Sequence, residues 1–211
     1  MAAESHKPSI GVLAVQGDVA EHLHALQALE VRAHIVKTPA EVDAVDGLIV
    51  PGGESTTVIR LMERYGLDAA ICKIAQRGVP IWGTCMGMIV IARSVVGMDQ
   101  RTLGLLDVSV RRNAFGRQIE SAEMSLPIPA LGARPFPAVF IRAPWIEAAG
   151  AGVSVLAALE GHGVLVRQGA ILGSSFHPEL TRDTRLHAYF LAMVAASSSS
   201  PQVQGKLAAS A

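Results

Sequence analysis

Cysteine and aromatic residues are scarce in this chain of 211 residues, which carries two Cys, two Trp, two Tyr and five Phe. Two thiols, Cys72 and Cys85, are too few for the disulfide framework of a small secreted domain and read as reduced thiols of a cytoplasmic protein. So few aromatics leave no series of stacking platforms for single-stranded nucleic acid. Neither sign of charge is in excess: eighteen Lys and Arg balance eighteen Asp and Glu, so no electrostatic footprint for nucleic acid or another polyanion is written into the composition. No apolar run reaches membrane-spanning length, and the apolar run that follows Ser9 is too short for the core of a signal peptide. What is plentiful is hydrophobic surface. Half the residues are hydrophobic and only 17% are charged, enough to bury a full core, and the length predicts one domain over residues 1–196. Residues 197–211, Ser-rich with Pro201 and Gly205, read as a disordered tail.

The pattern in the first half alternates. Ile10–Val15 is a continuous apolar run typical of a strand buried on both faces, and a helix to about Leu29 follows the turn at Gln16-Gly17-Asp18. Val31–Val36 gives the next strand. Thr38-Pro39-Ala40-Glu41 then has capping-box spacing, with Pro at the first helical position. Gly47–Val50 is a third strand, ending at Pro51-Gly52-Gly53-Glu54-Ser55 ahead of a helix through Arg64. A further helix over Leu67–Arg77 precedes a strand at Val79. Strands alternating with helices predict an α/β fold with a doubly wound, mostly parallel sheet, whose functional groups lie at the C-terminal strand ends. The second half reads as short strands separated by Gly and Pro: Leu105–Arg112, Gln118–Ser125, Ala138–Ile141, Val153–Leu159, Val164–Arg167 and Ala170–Ser175. These predict antiparallel additions, with a hairpin through Gln168-Gly169. Asp183–Ala196 returns to helix with Leu186, Tyr189, Phe190 and Met193 as its buried stripe.

Gly83-Thr84-Cys85-Met86-Gly87 sits between a strand and an apolar helix and has the form of a nucleophile elbow, with glycines relieving the strained turn. The following helix N-terminus favours a thiolate and an oxyanion. A free Cys at such a junction can equally be buried and inert. Ser175-Phe176-His177-Pro178-Glu179 changes the balance. Pro178 forces His177 into an extended conformation, so that the Cα atoms of His177 and Glu179 fall on one face about 6–7 Å apart. Cys85, His177 and Glu179 then supply nucleophile, base and orienting carboxylate. An acyl-transfer site also needs two oxyanion donors: Met86 N–H is one, and the Pro51–Ser55 loop with Gly53 is where the second is needed, although a lone Gly-Gly there reads equally as a turn that ends a strand and caps a helix. Arg111–Arg117 is a basic turn able to set a guanidinium on a substrate carboxylate, and Phe140-Ile141-Arg142-Ala143-Pro144 is a strand end with a loop. No metal is indicated: His22 and His24 lie two apart on a helix and do not face one another, and the other histidines lack ligand spacing.

Gly52-Gly53-Glu54-Ser55, the Gly83–Gly87 elbow, Arg112-Asn113-Ala114-Phe115-Gly116-Arg117-Gln118, Phe140–Pro144 and Ser175–Glu179 together resemble the glutaminase-subunit family of pyridoxal 5′-phosphate synthases, within the class I triad glutamine amidotransferases. The resemblance runs from about Ile10 to Val194. Met86 and Met88 are bulkier than the residues associated with that family at the elbow. The resemblance implies a flavodoxin-like architecture and hydrolysis of L-glutamine to L-glutamate and ammonia through a Cys85 glutamyl thioester. It further implies substrate contacts at Gly53, Glu54, Ser55, Arg112, Ile141 and Arg142, with Arg112 as carboxylate partner. It implies no cofactor, and a separate ring-forming synthase subunit as partner and recipient of the ammonia. Two other classes stay open on the residues alone: a cysteine hydrolase of the same architecture without glutamine specificity, and a non-catalytic subunit that keeps the fold without turnover.

Overall fold

A computed structural model describes residues 8–112 and 121–199. Residues 113–120, which hold most of the Arg112–Gln118 segment and the start of the strand expected from Gln118, lie outside the described residues, as do 1–7 and 200–211. The elements run β1 Ser9–Leu13, α1 Val19–Ala28, β2 Arg32–Val36, α2 Pro39–Asp43, β3 Gly47–Val50, α3 Ser55–Tyr65, α4 Leu67–Gln76, β4 Ile81–Thr84, α5 Met86–Ile91 and β5 Ala92–Val95. They continue with β6 Leu106–Arg111, β7 Ser121–Leu126, β8 Phe136–Ile141, β9 Trp145–Ala149, β10 Ser154–Leu159, β11 His162–Gln168, β12 Ile171–Ser174 and α6 Arg185–Ser199. Short 3₁₀ turns occupy Pro129–Leu131 and Pro178–Leu180.

The main sheet has the order β2-β1-β3-β4-β12-β11-β9-β6-β5, with β10 paired to β11. From β2 to β12 every pairing is parallel, the flavodoxin-like order with β12 as its fifth strand. Strands β3, β4 and β12 are buried at every residue, as a parallel sheet covered on both faces requires. Alternation along β1 divides the core. Ile10 and Val12 face α1 and α6 through Leu26, Leu186, Phe190 and Val194. Leu13 lies on the other side with Val58 and Met62 of α3 and Ile71 and Ile74 of α4. At about 25 cal/mol per Å² of apolar surface, each such buried side chain contributes roughly 1.5–3 kcal/mol before chain entropy is charged against it.

Local chemistry accounts for the helix starts. Thr38 and Glu41 form the reciprocal capping box at α2, with Glu41 N donating to Thr38 Oγ1 at 3.3 Å and Thr38 N donating to Glu41 Oε2 at 2.9 Å. Beyond β12 the character changes: β11 pairs antiparallel with β12, β9 and β10, and β6 with β9. The hairpin joining β11 to β12 turns at Gly169, whose φ of +56° suits glycine. Strands β7 and β8 form a separate antiparallel pair.

Three expectations need correction. The Ala170–Ser175 strand is half of a hairpin but also runs parallel to β4, because its apolar, wholly buried residues fit the sheet centre. Strands β5 and β9 were not foreseen, since Ala92–Val95 follows α5 with no intervening turn residue and Trp145–Ala149 lacks a bounded apolar run. On α6 the buried stripe is Leu186, His187, Phe190, Met193 and Val194, while Tyr189 is only half-buried. No helix among the described residues is long and apolar enough to cross a membrane.

Candidate active site

Strands β4 and β12 are parallel neighbours with Thr84 opposite Ser174. Their C-terminal ends therefore emerge side by side, and the residues that follow, Cys85 on one and Ser175-Phe176-His177 on the other, meet above the sheet. Cys85 N donates to Ser174 O at 2.8 Å, which ties the elbow to the second strand. His177 N donates to Val139 O of β8 at 2.8 Å. Between these anchors Phe176 is fully buried against Phe140 and Phe136, with ring centroids 5.5 and 5.9 Å away. With Phe176 fixed in the core, its neighbour His177 turns toward Cys85.

The elbow is strained where the chemistry sits. Cys85 has φ 50° and ψ −115°, a conformation that non-glycine residues rarely hold. Gly83 and Gly87 do not carry the positive φ themselves. They serve close approach instead: a Cβ on Gly87 would lie 2.0 Å from Val50 O, and one on Gly83 would lie 2.6 Å from Gly87 O. This corrects the expectation that the glycines relieve the turn; Cys85 bears the strain, and the glycines let α5 pack against β3 and β4. Gly52 has a related role, since a Cβ there would come within 3.0 Å of His177 Cε1.

His177 and Glu179 meet, although not along an extended strand. His177 precedes a 3₁₀ turn over Pro178–Leu180, because Pro178 both disfavours helix at His177 and starts a turn with its own fixed φ. The turn swings Glu179 back, and its Oε1 lies 2.7 Å from His177 Nδ1. Both residues are 6% exposed. Burial alone would lower the His177 pKa, but its interactions with Cys85 and Glu179 reverse this and raise it to about 10. Burial raises the pKa of Glu179, with the His177 hydrogen bond opposing it. The Cys85 thiol is 3.9 Å from Ile141 O.

Gln16, Gly17, Asp18, Gly53, Cys85, Met86, Ile141, Arg142 and His177 line one cavity of about 350 Å³, within the size range of small-molecule sites. A larger open groove of about 540 Å³ runs along Glu123, Arg134, Arg182 and Asp183, but neither Cys nor His is among the residues that line it. Arg142 adopts φ 43°, and its exposed guanidinium has no hydrogen bond or ion pair among the described residues. Glu54, Ser55 and Arg112 lie outside this cavity's lining. Glu54 caps α3 through Thr56 N and Thr57 N at 3.2 and 2.8 Å. Arg112 is held by Glu54 Oε1 and Gln100 Oε1, each at 3.3 Å, and Ser55 Oγ donates to the same Gln100 oxygen at 3.3 Å.

Sequence reading missed two features of this site. Gln16 Oε1 accepts from Glu54 N at 3.0 Å and braces the Gly53 loop. Asp18 Oδ2 stands 3.2 Å from His177 Nδ1. The ligand-type atoms of Asp18, His177 and Glu179 lie within 4.8 Å of one another. Nδ1, however, must keep its proton to bond Glu179 and cannot bind a cation at the same time.

A family model described as "SNO glutamine amidotransferase family" matches residues 12–196. "Pyridoxal 5'-phosphate synthase subunit PdxT" of Thermotoga neapolitana is 54% identical over 185 residues, which cover 88% of this chain and 98% of that protein. The protein of the same name from Moorella thermoacetica is 48% identical with the same coverage of both chains. A solved structure described as "Crystal structure of glutamine amidotransferase" aligns with a TM-score of 0.84 at 48% identity, over 88% of this chain and 98% of that one. Another, "Structure of PurLQS from Thermotoga maritima", aligns with a TM-score of 0.62 at 20% identity over 90% of this chain and 97% of that one, a likeness of fold alone.

Proposed function

The chain belongs to the SNO glutamine amidotransferase family, and from that premise we infer that it hydrolyses L-glutamine to L-glutamate and ammonia for pyridoxal 5′-phosphate (vitamin B6) synthesis. The observation that carries the mechanism is the alignment of Cys85 and His177 on adjacent strand ends, with Glu179 Oε1 on Nδ1 at 2.7 Å. With Nδ1 so occupied, Nε2 of His177 is the nitrogen that exchanges a proton with the thiol. Cys85 sulfur attacks the carboxamide carbon, and the oxyanion is received by the backbone N–H groups of Met86 and Gly53. His177 protonates the departing ammonia, leaving a γ-glutamyl thioester on Cys85. The same imidazole then takes a proton from water as the thioester is hydrolysed.

Gly53, Ile141 and Arg142 contact the substrate in this reading, and Glu54, Ser55 and Arg112 shape the loop beside it. Arg142 replaces Arg112 as partner of the glutamine carboxylate. The reason is availability: Arg112 is already engaged by Glu54 and Gln100, whereas Arg142 lines the cavity with no ion-pair or hydrogen-bond partner among the described residues. Ammonia released into neutral water is largely protonated and no longer nucleophilic. Its use in a biosynthetic step therefore calls for docking on a separate synthase subunit and shielded transfer, in the cytoplasm, where two unbridged cysteines remain reduced. The test is a glutaminase assay of wild type and His177→Asn, each with and without the synthase subunit, combined with trapping of a glutamyl adduct on Cys85. Turnover of glutamine by His177→Asn at the wild-type rate, or an adduct at Cys72 alone, would sink the assignment.

A further inference from the structure

Behind the Cys85–His177–Glu179 line lies a second buried set of polar groups. His22 of α1 and His187 of α6 are both fully buried, and His22 Nδ1 is 3.1 Å from His187 Nε2. His22 Nε2 is 3.2 Å from Thr84 Oγ1, next to the nucleophile, and 3.4 Å from Glu179 Oε2. The two rings rest against Trp82, with centroids 5.9 and 5.0 Å from it. Oε2 makes no hydrogen bond in this geometry, and neither does His187 Nδ1.

Counting protons gives the chain a direction. Burial, first, and then the neighbouring histidines hold the His22 pKa well below its ordinary value, so the ring is neutral and carries one N–H. If that hydrogen sat on Nδ1, it would point at His187 Nε2. His187 would then have to bury an unpaired N–H on Nδ1, and the His22 Nε2 lone pair, with the Thr84 hydroxyl as its donor, would also face a carboxylate oxygen. Both are costly. With the hydrogen on Nε2, His187 Nε2–H donates to His22 Nδ1, and His22 Nε2–H is directed between Thr84 Oγ1 and Glu179 Oε2. What is then left over on the two rings is a lone pair on His187 Nδ1, a cheaper orphan than a buried N–H.

Resting on the glutaminase reading above, we propose that His22 is a positioning residue for glutamine hydrolysis: its Nε2–H, fixed in that tautomer by His187, holds Oε2 of Glu179 and so sets the orientation and charge of the carboxylate that orients His177. At 3.4 Å the contact is long, and it closes by a small movement of one ring, as hydrogen bonds at such sites do when a substrate is bound. A buried carboxylate needs a donor on each oxygen to stay ionised. His177 serves Oε1, and His22 is the group placed to serve Oε2.

The experiment is the pH profile of kcat and of KM for the full chain with its synthase subunit, in wild type, His22→Asn and His22→Gln. Gln places an N–H near the Nε2 position, while Asn reaches only as far as Nδ1. Expected is a fall in kcat of roughly tenfold to a hundredfold in His22→Asn with KM little changed, the size seen when an outer partner of a site ligand is removed. Its acid limb moves to higher pH, because Glu179 without its second donor protonates more readily. The titratable groups facing Glu179 are His177, Asp18 and His22, with Cys85 beyond His177 and His187 beyond His22. His22→Gln restores most of the rate and the wild-type limb. A core residue with no part in positioning would lower thermal stability in both variants without moving the limb, and that result overturns the proposal. Should His22→Asn fail to fold, His187→Leu, which removes the partner of His22 Nδ1, decides on the same criterion. Wild type inactive on glutamine would overturn the glutaminase reading itself; wild type active with unmoved variants overturns only the role of His22.

Discussion

Asp18 stands at the N-cap of α1 but does not cap it; its carboxylate instead approaches His177 Nδ1 to 3.2 Å, on the nitrogen already bonded to Glu179. An Asp at this position usually accepts from the first turn of its helix and contributes about 1 kcal/mol by doing so. Here that contribution is forgone, and a second negative charge is set beside the base. The side chain is 40% exposed, so it is the wet partner of a ring whose other carboxylate is dry.

The consequence is a shift in the acid limb of activity. The Asp18 charge is among the causes that raise the Glu179 pKa, after burial. Asp18→Asn removes it, Glu179 then stays ionised to lower pH, and the acid limb of kcat/KM moves down. The direction is opposite to that expected for His22→Asn, so the two variants form an internal control. Titration of kcat/KM between pH 4 and 8, a range about the ordinary Glu and His values, measures it. A limb that stays in place in Asp18→Asn would remove Asp18 from the account of the base.

Arg142 and Arg112 separate by steady-state kinetics. Arg142 lines the cavity with no partner among the described residues, so Arg142→Ala should raise KM for glutamine by at least tenfold, a charge-assisted pair being worth about 1.5–3 kcal/mol. Arg112→Ala frees Glu54 and Gln100 without removing a cavity cation, so its effect on KM should be several times smaller. The reverse order would return the carboxylate to Arg112. Methylamide and decarboxylated analogues of glutamine sharpen the comparison, since Arg142→Ala should lose its penalty with a substrate that has no α-carboxylate.

Where the sequence was legible, local rules agreed with the fold. The capping box at Thr38, the wholly apolar β3, the alternation of strand and helix through β4 and the hairpin at Gly169 each depend on neighbours a few residues away. The pairing of Cys85 with His177 was readable for another reason: the elbow and the His-Pro-Glu segment each follow an apolar run and supply complementary chemistry, although the parallel adjacency of β4 and β12 that brings them together was not foreseen. What could not be read depends on side-chain contact across the sheet or between distant helices. His22 and His187 are separated by the length of the domain, and nothing in either helix marks its partner. A search for histidine spacing within one helix was bound to miss them. Asp18 reads in sequence only as part of the turn before α1, and its approach to His177 depends on a contact between distant segments. Arg112 is the carboxylate partner that the family resemblance implies, and a sequence does not show that Glu54 and Gln100 already hold it.

Glu54 links the stability of the site to pH. Burial alone would raise its pKa, but hydrogen bonds from Thr57 and Thr56 at the start of α3 outweigh it and lower the value to about 2. Arg112 adds an ion pair at 3.3 Å, although the Glu54 side chain is 44% exposed and that pair is well screened. A depressed folded-state pKa contributes stability that is fully present above the ordinary carboxylate value and is lost as pH falls toward the folded one. Glu54→Ala therefore removes a cap at neutral pH, at a cost of about 0.5–2 kcal/mol. It removes progressively less as the medium becomes acid, because by about pH 2 the wild-type carboxylate is itself being protonated. Urea unfolding of wild type and Glu54→Ala at neutral pH and near pH 3 should show the two stabilities converging on acidification. Parallel stabilities across that range would mean that the cap works through packing of the side chain and not through its charge, and α3 would then owe its start to Pro51 and the glycines before it.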